Sequence, residues 1–272
     1  MVVKKSDQLL DLRNYLPWLE GEGWRAALRR GLERLLKLPE IWAIEEELEE
    51  RAAGGEESFA AFLAAAGVGL EEEGVCARIP ESGGVVVIAN HPFGGADAIA
   101  LPALCKRVRK DTMILANADV CGIRAISPWM YPLEVMGGAE SERRNLKILL
   151  EAMAHVRNSG LLVIFPAGAV SCWQADSARV EDPPWPDHTA RMVGKLKVPV
   201  LPVRFHGRNP VWFQIVAKLH PFLRSGFIPR VFVETKGKTV RCSGGELIAP
   251  GDWPEDLGER TRFLRKAVEN LA

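Results

Sequence analysis

The sequence predicts an α/β fold, with a mainly parallel or mixed central sheet flanked by helices and a helical segment at the N-terminus. Three observations carry that prediction. Short β-branched runs such as Val-Val-Val-Ile-Ala at 85–89 and Leu-Leu-Val-Ile-Phe at 161–165 recur from about residue 75. Longer stretches with apolar residues three and four apart lie between them. Before residue 75 the texture is helical only, so the chain divides into an N-terminal helical segment, 1–74, and an α/β domain, 75–272.

The N-terminal segment holds three helix candidates. Between Trp24 and Leu38, the apolar positions Trp24, Ala27, Leu28, Leu32, Leu35 and Leu36 fall at helical spacing, while Arg25, Arg29, Arg30, Arg34 and Lys37 crowd the other face. Pro39 suits a break, a Glu-rich helix follows at 45–50, Gly54 and Gly55 punctuate it, and an Ala-rich helix starts near Ser58. Two readings of the basic helix are open: it lies in the headgroup region of an anionic membrane leaflet, or it packs on the sheet with a solvated basic face. In the α/β domain the strand candidates are 85–89, 112–116, 133–136, 161–165, 200–205, 213–219 and 230–235. The helix candidates are 99–108, 143–157, 187–196 and 254–271.

Composition narrows the function classes. With 35 basic and 35 acidic residues among 272, no whole-molecule field argues for nucleic acid. The five cysteines, Cys76, Cys105, Cys121, Cys172 and Cys242, contain no Cys-x-x-Cys pair, so neither a disulfide framework nor a zinc site is expected. A reducing cytoplasm follows as the expected location. The opening residues lack a long apolar stretch, and no uncharged apolar run approaches the roughly 18 residues of a membrane span, so a soluble or peripheral protein is expected.

Chemistry concentrates at two strand ends. The run at 85–89 stops at Asn90-His91-Pro92-Phe93-Gly94-Gly95, and a helix should begin near Asp97. In an open parallel sheet, ligands gather beyond the carboxyl ends of the strands. A short Gly-Gly turn can return the Asp97 carboxylate to the His91 ring, where it would fix the tautomer and raise the basicity of the other nitrogen. The competing reading makes His91 a satisfied strand-end histidine and Asp97 a helix cap. A metal pair lacks further ligands, and a phosphate loop lacks the Gly-Lys-Ser/Thr that would follow the glycines. The second strand end is Phe165-Pro166-Ala167-Gly168-Ala169-Val170-Ser171, a turn that leaves backbone N–H groups facing outward. Residues 126–132, rich in aromatics, line an apolar ligand cavity, touch a bilayer or serve ordinary packing.

Four blocks in order, Asn90 to Asp97, Arg143-Arg144-Asn145, Phe165 to Ser171, and Val198-Pro199-Val200-Leu201-Pro202-Val203, resemble the glycerolipid acyltransferases of the lysophosphatidate-acyltransferase superfamily. The wording Asn-His-Pro-Phe-Gly-Gly and Phe-Pro-Ala-Gly is similar to the bacterial branch labelled hemolysin or phospholipid/glycerol acyltransferase. Five residues separate His91 from Asp97 where the commonest family pattern has four, and Ala167, Ala169 and Val170 stand where Glu, Thr and Arg are usual. The resemblance implies His91 and Asp97 as the catalytic pair. It also implies Asn90, Gly94, Gly95, Arg143, Arg144, Phe165, Pro166, Gly168 and Ser171 as substrate-binding residues, with Arg204 and Arg208 further candidates, beside Arg143 and Arg144, for the missing cation. No metal or cofactor is implied. The co-substrate would be an acyl thioester of coenzyme A or acyl carrier protein, and the acceptor a lysolipid hydroxyl of glycerolipid or lyso-ornithine-lipid type. The site of action would be the cytoplasmic face of the membrane, reached peripherally. Two alternatives stay open at this point: a thioesterase or esterase using the same site with water, and a non-catalytic lipid-binding module.

Overall fold

The computed structural model describes residues 10–134 and 138–272. Helices come first: α1 (Leu12–Tyr15), α2 (Trp24–Leu35), α3 (Leu38–Ala53) and α4 (Ser58–Ala66). Lys37, with φ at 56°, separates α2 from α3, and Pro39 sits in the first turn of α3, where a missing N–H breaks no helical bond. Glu57 caps α4 by accepting from the Ala60 amide, and Gly67 ends it at φ 64°.

The α/β region follows as β1 (Gly69–Glu73), α5 (Val75–Arg78), β2 (Val85–Ala89), α6 (Ala96–Val108), β3 (Thr112–Asn117), β4 (Met130–Leu133), α7 (Ala139–Arg157) and β5 (Leu161–Ile164). A two-stranded hairpin, β6 (Cys172–Gln174) and β7 (Arg179–Glu181), then leads to α8 (His188–Leu196) and β8 (Val200–His206). Three short helices, α9 (Val211–Leu219), α10 (Pro221–Gly226) and α11 (Ile228–Val233), precede β9 (Thr239–Gly244) and α12 (Leu257–Glu269). The main sheet has seven strands in the order β1-β9-β8-β2-β5-β3-β4. β8, β2, β5, β3 and β4 run parallel, and β9 pairs antiparallel to β8, which makes the sheet mixed.

Alternation along the central strands divides the core in two. Val85, Val87 and Ala89 of β2 and Leu161 and Val163 of β5 face one cluster, shared with α4 and α6. Val86, Ile88, Leu162 and Ile164 face the other, shared with α7, α8 and α12. All five residues of β2 are buried, as expected for a parallel strand covered on both faces.

Four expectations change. Residues 213–219 and 230–235 are not strands: the first stretch lies in α9, the second largely in α11, each begun by a proline (Pro210 at the cap, Pro229 in the first turn). On α9 the buried positions Phe213, Gln214 and Ala217 have helical spacing, which the β-branched and aromatic composition conceals. β1, Gly-Leu-Glu-Glu-Glu, and β9 were not expected as strands. β1 is an edge strand whose Glu71 and Glu73 are exposed, while the half-buried Glu72 accepts from the Val75 amide at 2.7 Å, and Glu71 pairs across the sheet with Arg241 at 2.9 Å. Because β1 belongs to the sheet, the division at residue 74 moves to before Gly69, and α3 and α4 share the sheet's core. The strand expected at 133–136 lies at Met130–Leu133, and Val135 and Met136, like residues 1–9, are outside the described residues. Among the described residues no helix is long and apolar enough to cross a membrane.

Candidate active site

β2 and β5 are adjacent and parallel, with Val85 opposite Leu161, so their following loops leave the same edge of the sheet. The two loops are bonded to one another: the Ser171 amide donates to the His91 carbonyl at 2.9 Å. A third group, not anticipated from the sequence, locks them. Register in the hairpin sets Cys172 opposite Glu181, and therefore brings the preceding Ser171 beside the following Asp182. Asp182 Oδ1 accepts from the His91 amide at 3.0 Å and from Ser171 Oγ at 2.5 Å, and its Oδ2 accepts from Trp185 Nε1 at 2.9 Å. The carboxylate is buried, and burial pushes its pKa above the usual carboxylate range despite the three donors that favour the charge.

Asp97 is wholly buried in the first turn of α6, where a negative charge is favoured by the helix N-terminus. Its Oδ2 accepts from the Phe93 amide and its Oδ1 from the Ala98 amide, both at 2.9 Å, so the carboxylate is fixed by the loop it faces. His91 Nδ1 lies 3.2 Å from Asp97 Oδ1, within ion-pair range but outside good hydrogen-bond geometry, and has no other partner among the described residues. The imidazole stacks on Phe165 with centroids 4.4 Å apart and stays 14% accessible. Burial pushes the His91 pKa down, but the charges of Asp97 and Asp182 outweigh it, and the net direction is upward. With Nδ1 turned to the carboxylate, Nε2 is the nitrogen left for an incoming group.

Close contacts explain the glycines. Gly94 has φ 79°, and a Cβ there would come within 2.4 Å of Val170 Cγ2 on the partner loop. Gly94→Ala is therefore expected to destabilise the fold by about 2–4 kcal/mol, summing a left-handed backbone and overpacking. Urea unfolding measures it, and a loss below about 0.5 kcal/mol, the range of an ordinary surface substitution, would contradict the packing of these loops. Gly207, at the end of β8, meets Phe93 in the same way, at 2.8 Å, and Asn209 Nδ2 donates to the Phe93 carbonyl at 3.3 Å.

The other expected site residues divide. Gly95 caps α6, Phe165 carries the imidazole, Pro166 is buried beneath the loop, and Gly168, at φ 62°, stands exposed at its tip with open space before it. Asn90 is committed: its Nδ2 donates to the Phe205 carbonyl at 2.9 Å and its Oδ1 accepts from the Phe205 amide at 2.7 Å, tying β2 to β8. The Ser171 hydroxyl is spent on Asp182. Arg204 donates from Nη1 to the carbonyls of Glu269 and Leu271, anchoring the chain beyond α12.

Arg144 grips Glu134 through two bonds of 2.7 Å and Glu140 through one of 2.6 Å, and its hydrogen bonds hold the Glu134 carboxyl down at about 2. Arg143 is exposed, with no ion-pair partner among the described residues. Both arginines start the helix after β4, three strand spacings from β2 in the sheet order, or roughly 14 Å. Neither makes a hydrogen bond or ion pair to the His91 or Phe165–Ser171 loops among the described residues. Ile126 is buried in the core, and Trp129 packs against it under Lys106 Nζ, 3.2 Å from its ring centre, which favours the packing reading of that stretch.

Comparison with known proteins finds similarity over the span that holds these loops. A family model described as Acyltransferase matches residues 76–206, a span that contains both loops, Asp182 and β8. A lyso-glycine lipid O-acyltransferase of Phocaeicola vulgatus is 27% identical over 143 residues, 52% of this chain and 49% of that protein. A second, from Bacteroides thetaiotaomicron, is 25% identical over 143 residues, 52% of this chain and 50% of its own length. The match thus spans about half the length of these curated relatives. The solved 1-acyl-sn-glycerophosphate acyltransferase PlsC from Thermotoga maritima aligns with 94% of this chain and 86% of its own, at 18% identity and a TM-score of 0.48. Residues 76–206 thus match the Acyltransferase family model, and the chain is similar to lyso-glycine lipid O-acyltransferases over 143 residues.

Proposed function

We propose that this chain is an O-acyltransferase that moves a fatty acyl group from a thioester of coenzyme A or acyl carrier protein to the hydroxyl of a lysolipid. The observation that carries the proposal is the His91–Asp97 pair, held at the carboxyl end of β2 with the Phe165–Ser171 loop bonded to it. The relatives named for lyso-glycine lipid point to an acceptor with an amino-acid headgroup. The chain would work at the cytoplasmic face of a membrane, held there peripherally by α2.

In this mechanism His91 Nε2 takes the proton of the acceptor hydroxyl as that oxygen attacks the thioester carbonyl. Asp97 stabilises the imidazolium that results. The tetrahedral intermediate collapses with cleavage of the C–S bond, and the imidazolium returns its proton to the leaving thiolate, giving ester and thiol without an acyl-enzyme. The Gly168 amide donates to the Phe165 carbonyl, so the amides of Ala169 and Val170 are the loop's candidates for the developing oxyanion.

The base must be neutral to act, and its pKa is raised from 6.5. Activity is therefore expected to fall as pH drops through a midpoint above 6.5. Asp97→Asn removes the charge that opposes burial, so it should lower kcat and move that midpoint to lower pH. The pH dependence of kcat/KM for transfer from an acyl thioester to lyso-glycine lipid tests this. An acidic limb that stays in place in Asp97→Asn would contradict the assignment of His91.

A further inference from the structure

α9 and α10 lie beside the His91 loop, and their outer surface is uncovered. Val211, Ile215 and Leu219, one turn apart along α9, are 73%, 61% and 70% exposed, and Phe222 and Leu223 of α10 extend the patch. The opposite face of α9 is already committed, since Phe213 and Ala217 pack with Val170 and Val231. A second apolar stripe on one helix is not explained by the core of this fold.

Charge singles out the same segment. From Arg204 to Arg230 the chain carries Arg204, Arg208, Lys218, Arg224 and Arg230 and no Asp or Glu, although its 35 basic and 35 acidic residues cancel overall. α2 also mixes exposed apolar side chains with cations, its one acid, Glu33, being paired with Arg29 at 3.4 Å. None of its residues is buried, and Trp24, Leu28 and Leu35 are exposed beside Arg25, Arg30 and Arg34. The two surfaces are joined by one side chain: Arg230 Nη1 donates to the Leu35 carbonyl at 3.2 Å, and its guanidinium lies 5.0 Å over the ring of Trp212 on α9. Exposed apolar side chains among cations match an anionic bilayer, with the apolar groups at the acyl boundary and the cations at phosphate level. A second copy of the chain would meet this patch with the same basic surface, bringing like charges together.

We infer that α9 and α10 form a second bilayer-contact surface, which acts with α2 on anionic lipid and turns the His91 edge of the sheet toward the headgroups. The link to that edge is short, because Asn209, just before α9, bonds the Phe93 carbonyl, and Ile228 of α11 lies against Gly94. The inference rests on the proposed lipid acceptor and peripheral location, and extends them by naming the surface.

Hydrogen–deuterium exchange of the full chain, with and without phosphatidylglycerol/phosphatidylcholine vesicles, separates the outcomes. Slowed exchange over 211–226 as well as 24–35 is expected on adding vesicles. The double variant Ile215→Glu/Leu219→Glu should lower vesicle partitioning at least roughly tenfold, with its circular dichroism unchanged. Acyl transfer to a short-chain acceptor dispersed as monomers should also be unchanged. Protection confined to 24–35, or partitioning unaffected by the double variant, overturns the second surface and leaves the peripheral reading standing. Failure of the wild type to bind vesicles overturns both. Protection of 211–226 without lipid, together with a dimer in solution, assigns the face to a second copy instead.

Discussion

His91→Ala is expected to lower kcat/KM for acyl transfer by about 10²- to 10⁴-fold, the range for loss of a general base. The substitution is suited to the purpose because the bonds joining the loops at this position are backbone ones. The His91 amide donates to Asp182 and its carbonyl accepts from Ser171, and alanine keeps both. What is lost besides the base is the stack on Phe165, about 0.5–1.5 kcal/mol of packing, and the ring's contact with Asp97, whose carboxylate keeps the Phe93 and Ala98 amides, so the fold should survive. A folded His91→Ala protein with wild-type turnover would remove His91 from the chemistry.

Asp182→Ala should have the largest effect on stability. It leaves three buried donors, the His91 amide, the Ser171 hydroxyl and the Trp185 indole, without their acceptor. At about 1–3 kcal/mol for each unsatisfied group, and allowing for relaxation, a loss of about 3–5 kcal/mol is expected. That corresponds to a fall in Tm of roughly 6–20 °C at the 2–4 °C per kcal/mol typical of larger domains. Asp182→Asn should cost less. It keeps one acceptor and sheds a charge that burial disfavours, as the raised Asp182 pKa indicates. Differential scanning calorimetry of the two variants orders them, and equal Tm values for wild type and Asp182→Ala would mean that the hairpin does not hold the loops together.

The fold class and the His91–Asp97 pair were legible in the sequence for the same reason. β2 and β5 are continuous apolar runs because both of their faces are buried, and each ends abruptly where proline and glycine turn the chain toward the sheet edge. β1 was hidden because an edge strand is free to carry three glutamates on a pattern that reads as loop or helix. α9 and α11 were hidden by composition, since Trp-Phe-Gln-Ile-Val and Val-Phe-Val favour strands until their prolines and buried positions are seen to fit helices. Asp182 had no local signature. Its role depends on the Cys172–Glu181 register, although an acid set before Pro-Pro-Trp, where the chain is stiff, marked a place to look. Arg144 and Arg204 were assigned to substrate because a sequence shows a cation without showing its partners. Those partners are Glu134 and Glu140 for Arg144, and carbonyls at the C-terminal end for Arg204.

Transfer to a lysolipid hydroxyl by way of His91 is tested most directly by following the acyl group itself. The purified chain, incubated with an isotope-labelled acyl thioester and lyso-glycine lipid, should place the label in the diacylated lipid by mass spectrometry, and His91→Ala should not. Label released as free fatty acid, at a rate indifferent to added lysolipid, would contradict the account and make water the acceptor.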